Sequence, residues 1–382
     1  MTRHLRILFA SSFFFSAHIA ILAYTNSSSL SRFASDSTIS FIYAGSSALS
    51  LLWLAIAPTL LRRYGNWKLA IGTFGVAIVT LLFLATAAAP VFFAALFAFY
   101  FSLNILITYV LDIFIEHYST NSGTGNIRGI YLTSVNLAWV GAPIIAGLLI
   151  FNYGFSAIYG VAALLLIPAA LLIASSEHGF RDQIYKPARF FRSLSVLKTN
   201  KSVRLIIFLN FLLQFFYAWM VIYAPLYLTK VHGFSWETIG ILFTFMLLPF
   251  IIFQYPAGKI ADKILGEKEL LVAGFLIMCL ATIFFALLPG GSVLAFGIAL
   301  FTTRVGASIV EVMCDTYFFK QITDKETTFI SFYRETIPLA YIIAPLWGVL
   351  VLASGSYNLL FFILGALMLV GAGFSLTLKD TR

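Results

Sequence analysis

The 382-residue chain is 61% hydrophobic and only 10% charged, with a formal net charge of +9. Soluble domains run at roughly 45–50% apolar and about 25% charged, so this composition excludes a soluble enzyme, a nucleic-acid binder and a disordered chain. The long unbroken apolar runs also exclude a barrel of alternating strands and leave an all-α protein that crosses the bilayer many times.

A crossing needs about 20 helical residues, and twelve runs reach that length. The first, 5–25, follows Arg3 and Arg6 and is longer than a signal-peptide core of roughly 7–15 residues. It carries His18, with Ser11 on the same side. Runs 37–58 and 68–88 are joined by a basic loop, PTLLRRYGNWK, from Pro58 to Lys68. Run 91–113 holds Asn104, Thr108 one turn on, and Asp112 at its end. Runs 130–152 and 153–174 complete the first half; the former has small residues at Ala138, Ala142-Pro143 and Ala146-Gly147, with Gly129 just before it. The one long connection, 175–203, contains Phe190–Leu194 with Lys198, either a short interfacial amphipathic piece or a plain basic loop.

Run 204–228 places Asn210, Gln214 and Tyr217 at steps of four and seven, one polar stripe. Such a stripe faces either a cavity or a neighbouring helix with which it hydrogen-bonds. Run 235–258 ends in the loop GKIADKILGEK, Gly258 to Lys268. Run 269–288 holds Cys279, and 291–317 holds Arg304, Ser308, Glu311, Cys314 and Asp315. At about 100° per residue, Arg304, Ser308, Glu311 and Asp315 share one face. Runs 330–352 and 356–377 close the chain. The two cysteines read as small buried hydrophobes; no metal site and no cofactor are expected.

If the N-terminus is cytoplasmic, 21 of the 24 Lys and Arg fall on the cytoplasmic side, Arg32 and Lys230 outside, and Arg304 in mid-membrane. The positive-inside rule then puts both termini in the cytoplasm. The halves repeat at an offset of about 202: Tyr131 aligns with Tyr333, Ala142 with Ala344 and Pro143 with Pro345, and near that register Asp112 aligns with Asp315 and Gly65 with Gly266. The expected plan is two pseudo-symmetric six-helix bundles, 1–174 and 204–382, joined by a cytoplasmic linker, 175–203.

The loop from Gly258 resembles the signature of the major facilitator superfamily, Gly-x-x-x-Asp-Arg/Lys-x-x-Gly-Arg/Lys-Lys/Arg, with Glu267 in a basic position. The resemblance implies a cytoplasmic latch of Gly258, Asp262, Lys263, Gly266 and Lys268, with Lys263 reaching Asp315. Gly258 would let helix ends approach closely. The first-half copy has Pro58 for Gly and Arg62 for Asp, so only an Arg63–Asp112 pairing is expected there. The small residues of the fifth and eleventh spans are similar to the family's antiporter motif and lean to efflux; close helix packing alone would also account for them.

By the same resemblance the first, fourth, seventh and tenth spans line a central cavity. Arg304, Asn104, Asn210, Gln214 and Tyr217 are then candidate substrate contacts. Glu311 is a proton carrier or a structural partner of Arg304, and His18 a coupling or a packing residue. The expected protein is a monomeric secondary transporter of a small polar or amphipathic solute, coupled to protons or another ion, in the plasma (inner) membrane, and not an enzyme. An uptake symporter and a non-transporting receptor on the same scaffold are the alternatives.

Overall fold

The computed structural model describes residues 3–118, 124–182, 201–321 and 327–379. The expected linker piece at 190–198 lies outside them, as do the surroundings of Gly129 and the side chains of Tyr131 and Asp262. All regular structure described is helical. The first half contains α1 (Arg3–Ala23), a short α2 (Asn26–Leu30), α3 (Asp36–Tyr64), α4 (Asn66–Thr86), α5 (Pro90–Tyr118), α6 (Thr124–Tyr153) and α7 (Phe155–Ser176). The second contains α8 (Lys201–Leu226), α9 (Trp236–Ile252), α10 (Gln254–Ile260), α11 (Glu267–Leu287), α12 (Val293–Gln321), α13 (Thr327–Leu352) and α14 (Tyr357–Ser375). Wide turns at Tyr227–Val231 and Ala261–Leu265 follow α8 and α10.

Among the described residues, eleven helical segments are long and apolar enough to span a bilayer, and the apolar part of α6, Leu137–Tyr153, is a shorter twelfth. The protein is therefore an all-α membrane protein. Each of the twelve expected runs overlaps one of these segments; most edges agree to within a few residues, while α3 continues six residues past the expected end at 58 and the apolar part of α6 begins seven residues after the expected start at 130. The expected break after the eighth run falls later, because that run continues through α10 and its wide turn to Leu265. The chain forms two compact units, Met1–Ala188 with Ser235–Gly240, and Arg189–Phe234 with Ile241–Arg382.

Local chemistry repeats between the halves. The Ser35 hydroxyl accepts the Thr38 N–H at the start of α3, and Ser235 does the same for Thr238 at the start of α9. Gly65 and Gly266 both adopt left-handed backbone, φ 76° and 90°, at the junctions before α4 and α11. A side chain there would be strained, which explains why glycine stands at both.

Within the second unit, Gly274 of α11 and Gly306 of α12 set a close helix crossing. A Cβ on Gly306 would lie 2.5 Å from the Gly274 carbonyl oxygen. Arg304 is two residues from Gly306, about 200° around the helix, so it points away from α11 and towards α8.

Candidate site on helices α8 and α12

Arg304 is 1% exposed, among the largest fully buried side chains of the protein. Its guanidinium carbon stands 5.1 Å from the Phe216 ring centre and 5.5 Å from that of Tyr217, both on α8. None of its three nitrogens has a hydrogen-bond partner among the described residues. A desolvated cation–ring contact returns about 2 kcal/mol or somewhat more, whereas a buried unpaired ion costs several. The rings therefore do not balance the burial of this charge.

Glu311 lies two turns along α12 and accepts a 2.8 Å hydrogen bond from the Tyr217 hydroxyl. No direct ion pair joins it to Arg304 among the described residues, although the two charges attract each other along α12. Tyr217 serves both: its ring faces the cation and its hydroxyl meets the carboxyl. Four residues further on, Asp315 accepts from the Tyr333 hydroxyl of α13 at 2.5 Å.

The α8 stripe divides. Asn210 donates to the Thr336 hydroxyl at 2.8 Å, and Thr336 in turn donates to the Tyr333 carbonyl. Asn210 thus ties α8 to α13, the hydrogen-bonding role, instead of joining Arg304. Gln214 is half-buried one turn before Tyr217. Trp219, also on α8, donates to the Ala344 carbonyl at 2.5 Å. Phe216 was not legible as a site residue, because 40 phenylalanines in the sequence bury any such signal. The buried Glu335 carboxyl oxygen, which has no hydrogen-bond partner among the described residues, was missed for another reason: its position near the start of a span suggested a boundary or latch charge.

In the first unit His18 is fully buried and its Nδ1 donates to the Phe15 carbonyl. That leaves Nε2 as the basic nitrogen, buried and without a partner among the described residues. The ring meets Tyr100 edge-on at 6.0 Å. Asn104 donates to the Tyr100 carbonyl at 3.2 Å, and its own buried carbonyl oxygen has no hydrogen-bond partner among the described residues. His18 and Asn104 therefore form a second polar island, within the first unit.

The latch residues have more varied settings. A Cβ on Gly258 would meet no atom within 4 Å among the described residues. Lys263 is exposed and Lys268 half-buried. Glu267, in the basic position of the motif, is buried and forms an ion pair with Lys320 at the end of α12. Arg63 is exposed and lies over its neighbour Tyr64, 5.3 Å from the ring centre, and no ion pair joins it to the half-buried Asp112 among the described residues. Asp182, which sequence reasoning overlooked, accepts the Asn66 N–H at 2.8 Å and so supplies a carboxylate at the start of α4 that the loop itself lacks.

Elsewhere at this end of the first unit, the buried Glu177 accepts from Tyr118 at 2.8 Å and faces His4 at 3.0 Å. Burial, then the bond to Glu177, pushes the Tyr118 phenol up to about 12.

The sequence profile of the Major Facilitator Superfamily matches residues 7–334 and 237–382. Among solved structures, a mutant of the nucleoside transporter NupG superposes with a TM-score of 0.73 at 10% identity, covering 98% of both chains. The POT family transporter PepTSo superposes with a TM-score of 0.77 at 12% identity, covering 98% of this chain and 97% of that one. No curated protein matches the sequence.

Proposed function

The chain belongs to the major facilitator superfamily, a family of secondary transporters, and we propose that its cargo is a small polar or amphipathic solute with an anionic group held by Arg304. The observation that carries this reading is the buried guanidinium, whose three nitrogens have no hydrogen-bond partner among the described residues. A carboxylate or phosphate can take two of its N–H groups at once and remove the cost of its burial. Likeness at 10–12% identity gives the fold and not the cargo, so neither nucleosides nor peptides are carried over from the two relatives.

Protons are the proposed energy source. Glu311, steadied by Tyr217, is the carrier on α12, and His18 a second coupling group on α1. The two repeats, 1–174 and 204–382, alternate the access of the site between the two sides of the membrane, with both termini cytoplasmic in the plasma membrane. The small-residue pattern at Ala142-Pro143 and Ala344-Pro345 supports efflux.

The test is transport by purified protein in liposomes, scanned over anionic solutes with a pH-sensitive dye inside. Arg304→Ala lowers the rate at least tenfold and Arg304→Lys gives an intermediate rate, because lysine keeps the charge and loses the planar fork. Full activity in Arg304→Ala removes that residue from the site. The sign of the proton movement on adding solute separates antiport from symport.

A further inference from the structure

In the first unit α3 and α4 both pack on α5 and scarcely on each other, which leaves a groove of about 330 Å³ between them. Its wall is apolar: Trp53 and Leu60 of α3, Leu69 and Val76 of α4, and Phe99 and Leu103 of α5. The outer side is open, since Val76 and Tyr64 on its rim are 44% and 47% exposed, in a stretch whose neighbours Leu52, Ile56 and Val79 also face outward. In a membrane protein such a face meets acyl chains.

The end of the groove is basic. Lys68 lines it, and Arg62 and Arg63 stand exposed on the same loop. Arg62 occupies the place where the family motif has an aspartate, so the loop has gained a cation and lost its anion. The carboxylate that touches this loop, Asp182, is turned onto the Asn66 N–H and the Gly65 backbone. Apolar depth under a mouth of three cations that make no ion pair among the described residues, at the boundary of a span, fits a lipid with a negative headgroup.

We propose that this groove seats one anionic phospholipid of the leaflet on the side of the Arg62–Lys68 loop, its acyl chain between α3 and α4 and its phosphate against Lys68 and Arg62. The degenerate loop is then a lipid anchor instead of a copy of the second-half latch.

Gly72 supplies a clean probe. It lines the groove, and a Cβ there meets no atom within 4 Å. Gly72→Leu fills the groove, and the change favours the helix itself. Purified protein is stripped of lipid in detergent, and dioleoyl-phosphatidylglycerol or dioleoyl-phosphatidylcholine is added back. Phosphatidylglycerol raises Tm by about 5 °C and phosphatidylcholine by less. The Arg62→Gln/Lys68→Gln double variant brings the two lipids level, and Gly72→Leu cuts the response to both. Native mass spectrometry shows one fewer retained phosphatidylglycerol in each variant. Equal stabilisation by the two lipids in the parent protein, or retained lipid counts unchanged in both variants, overturns the proposal.

Discussion

Tyr217 is the residue whose chemistry is easiest to split, because its two contacts depend on different atoms. Tyr217→Phe keeps a ring beneath Arg304 and deletes the hydroxyl that Glu311 accepts. A hydrogen bond to a charged group contributes about 1.5–3 kcal/mol. Solute exchange at equal pH on both sides should therefore change little, while solute movement driven by a pH gradient should fall about tenfold or more. Equal losses in both assays would assign Tyr217 to solute binding alone. His232, between the spans, offers a second single-residue test. It packs against Tyr227 and Phe296, each 4.5 Å away, and its buried Nε2 has no partner among the described residues. Burial lowers its pKa from the ordinary value of 6.5. The fold therefore holds the neutral ring, and the stability it contributes is present above pH 6.5 and is lost as pH falls through the lowered value. Thermal melts of His232→Phe should show a smaller loss of Tm between pH 7 and pH 5 than the parent.

At the scale of elements, turn chemistry decides where the spans begin. Gly266→Ala places a side chain at φ 90° and should cost about 1–2 kcal/mol. Gly65→Ala costs more, because its Cβ would also meet Asp182 Oδ2 at 2.5 Å. Denaturation in detergent should rank the parent above Gly266→Ala and Gly266→Ala above Gly65→Ala. These turns were legible in the sequence, as Gly65 and Gly266 stand at equivalent positions of the two halves. The twelve spans were legible for a plainer reason: hydropathy over about 20 residues is a strong signal. Contacts that cross between helices were not. Nothing in the spacing of Asn210, Gln214 and Tyr217 says that the first turns to α13 and the last to α12. Periodicity gives a shared face and leaves the partner to packing. Asp182 escaped notice similarly, since its role depends on the chain returning to α4 after more than a hundred residues.

For the whole molecule, the proposed site and the proposed lipid groove lie in different units and can be tested independently. The candidate residues also separate by unit. Arg304, Tyr217 and Glu311 are brought together in the second, while His18 and Asn104 both meet Tyr100 in the first. The fold was thus readable from composition, and of the proposed site the sequence marks one arginine in mid-span while its aromatic neighbours stay hidden among the other rings.

If Arg304 and Glu311 form the site as proposed, a cation and a carboxyl seven residues apart on one helix also fix how membrane voltage acts on the carrier. With Glu311 ionised the empty pair sums to zero. If a monoanion and a proton travel together, the loaded pair is again neutral and voltage does no work on either leg. If they travel in opposite directions, one leg carries a net negative charge and the other a net positive one. Each charge then gains or loses about 2.3 kcal/mol per 100 mV. A potassium diffusion potential set with valinomycin should leave the symporter's rate unchanged and drive the antiporter strongly.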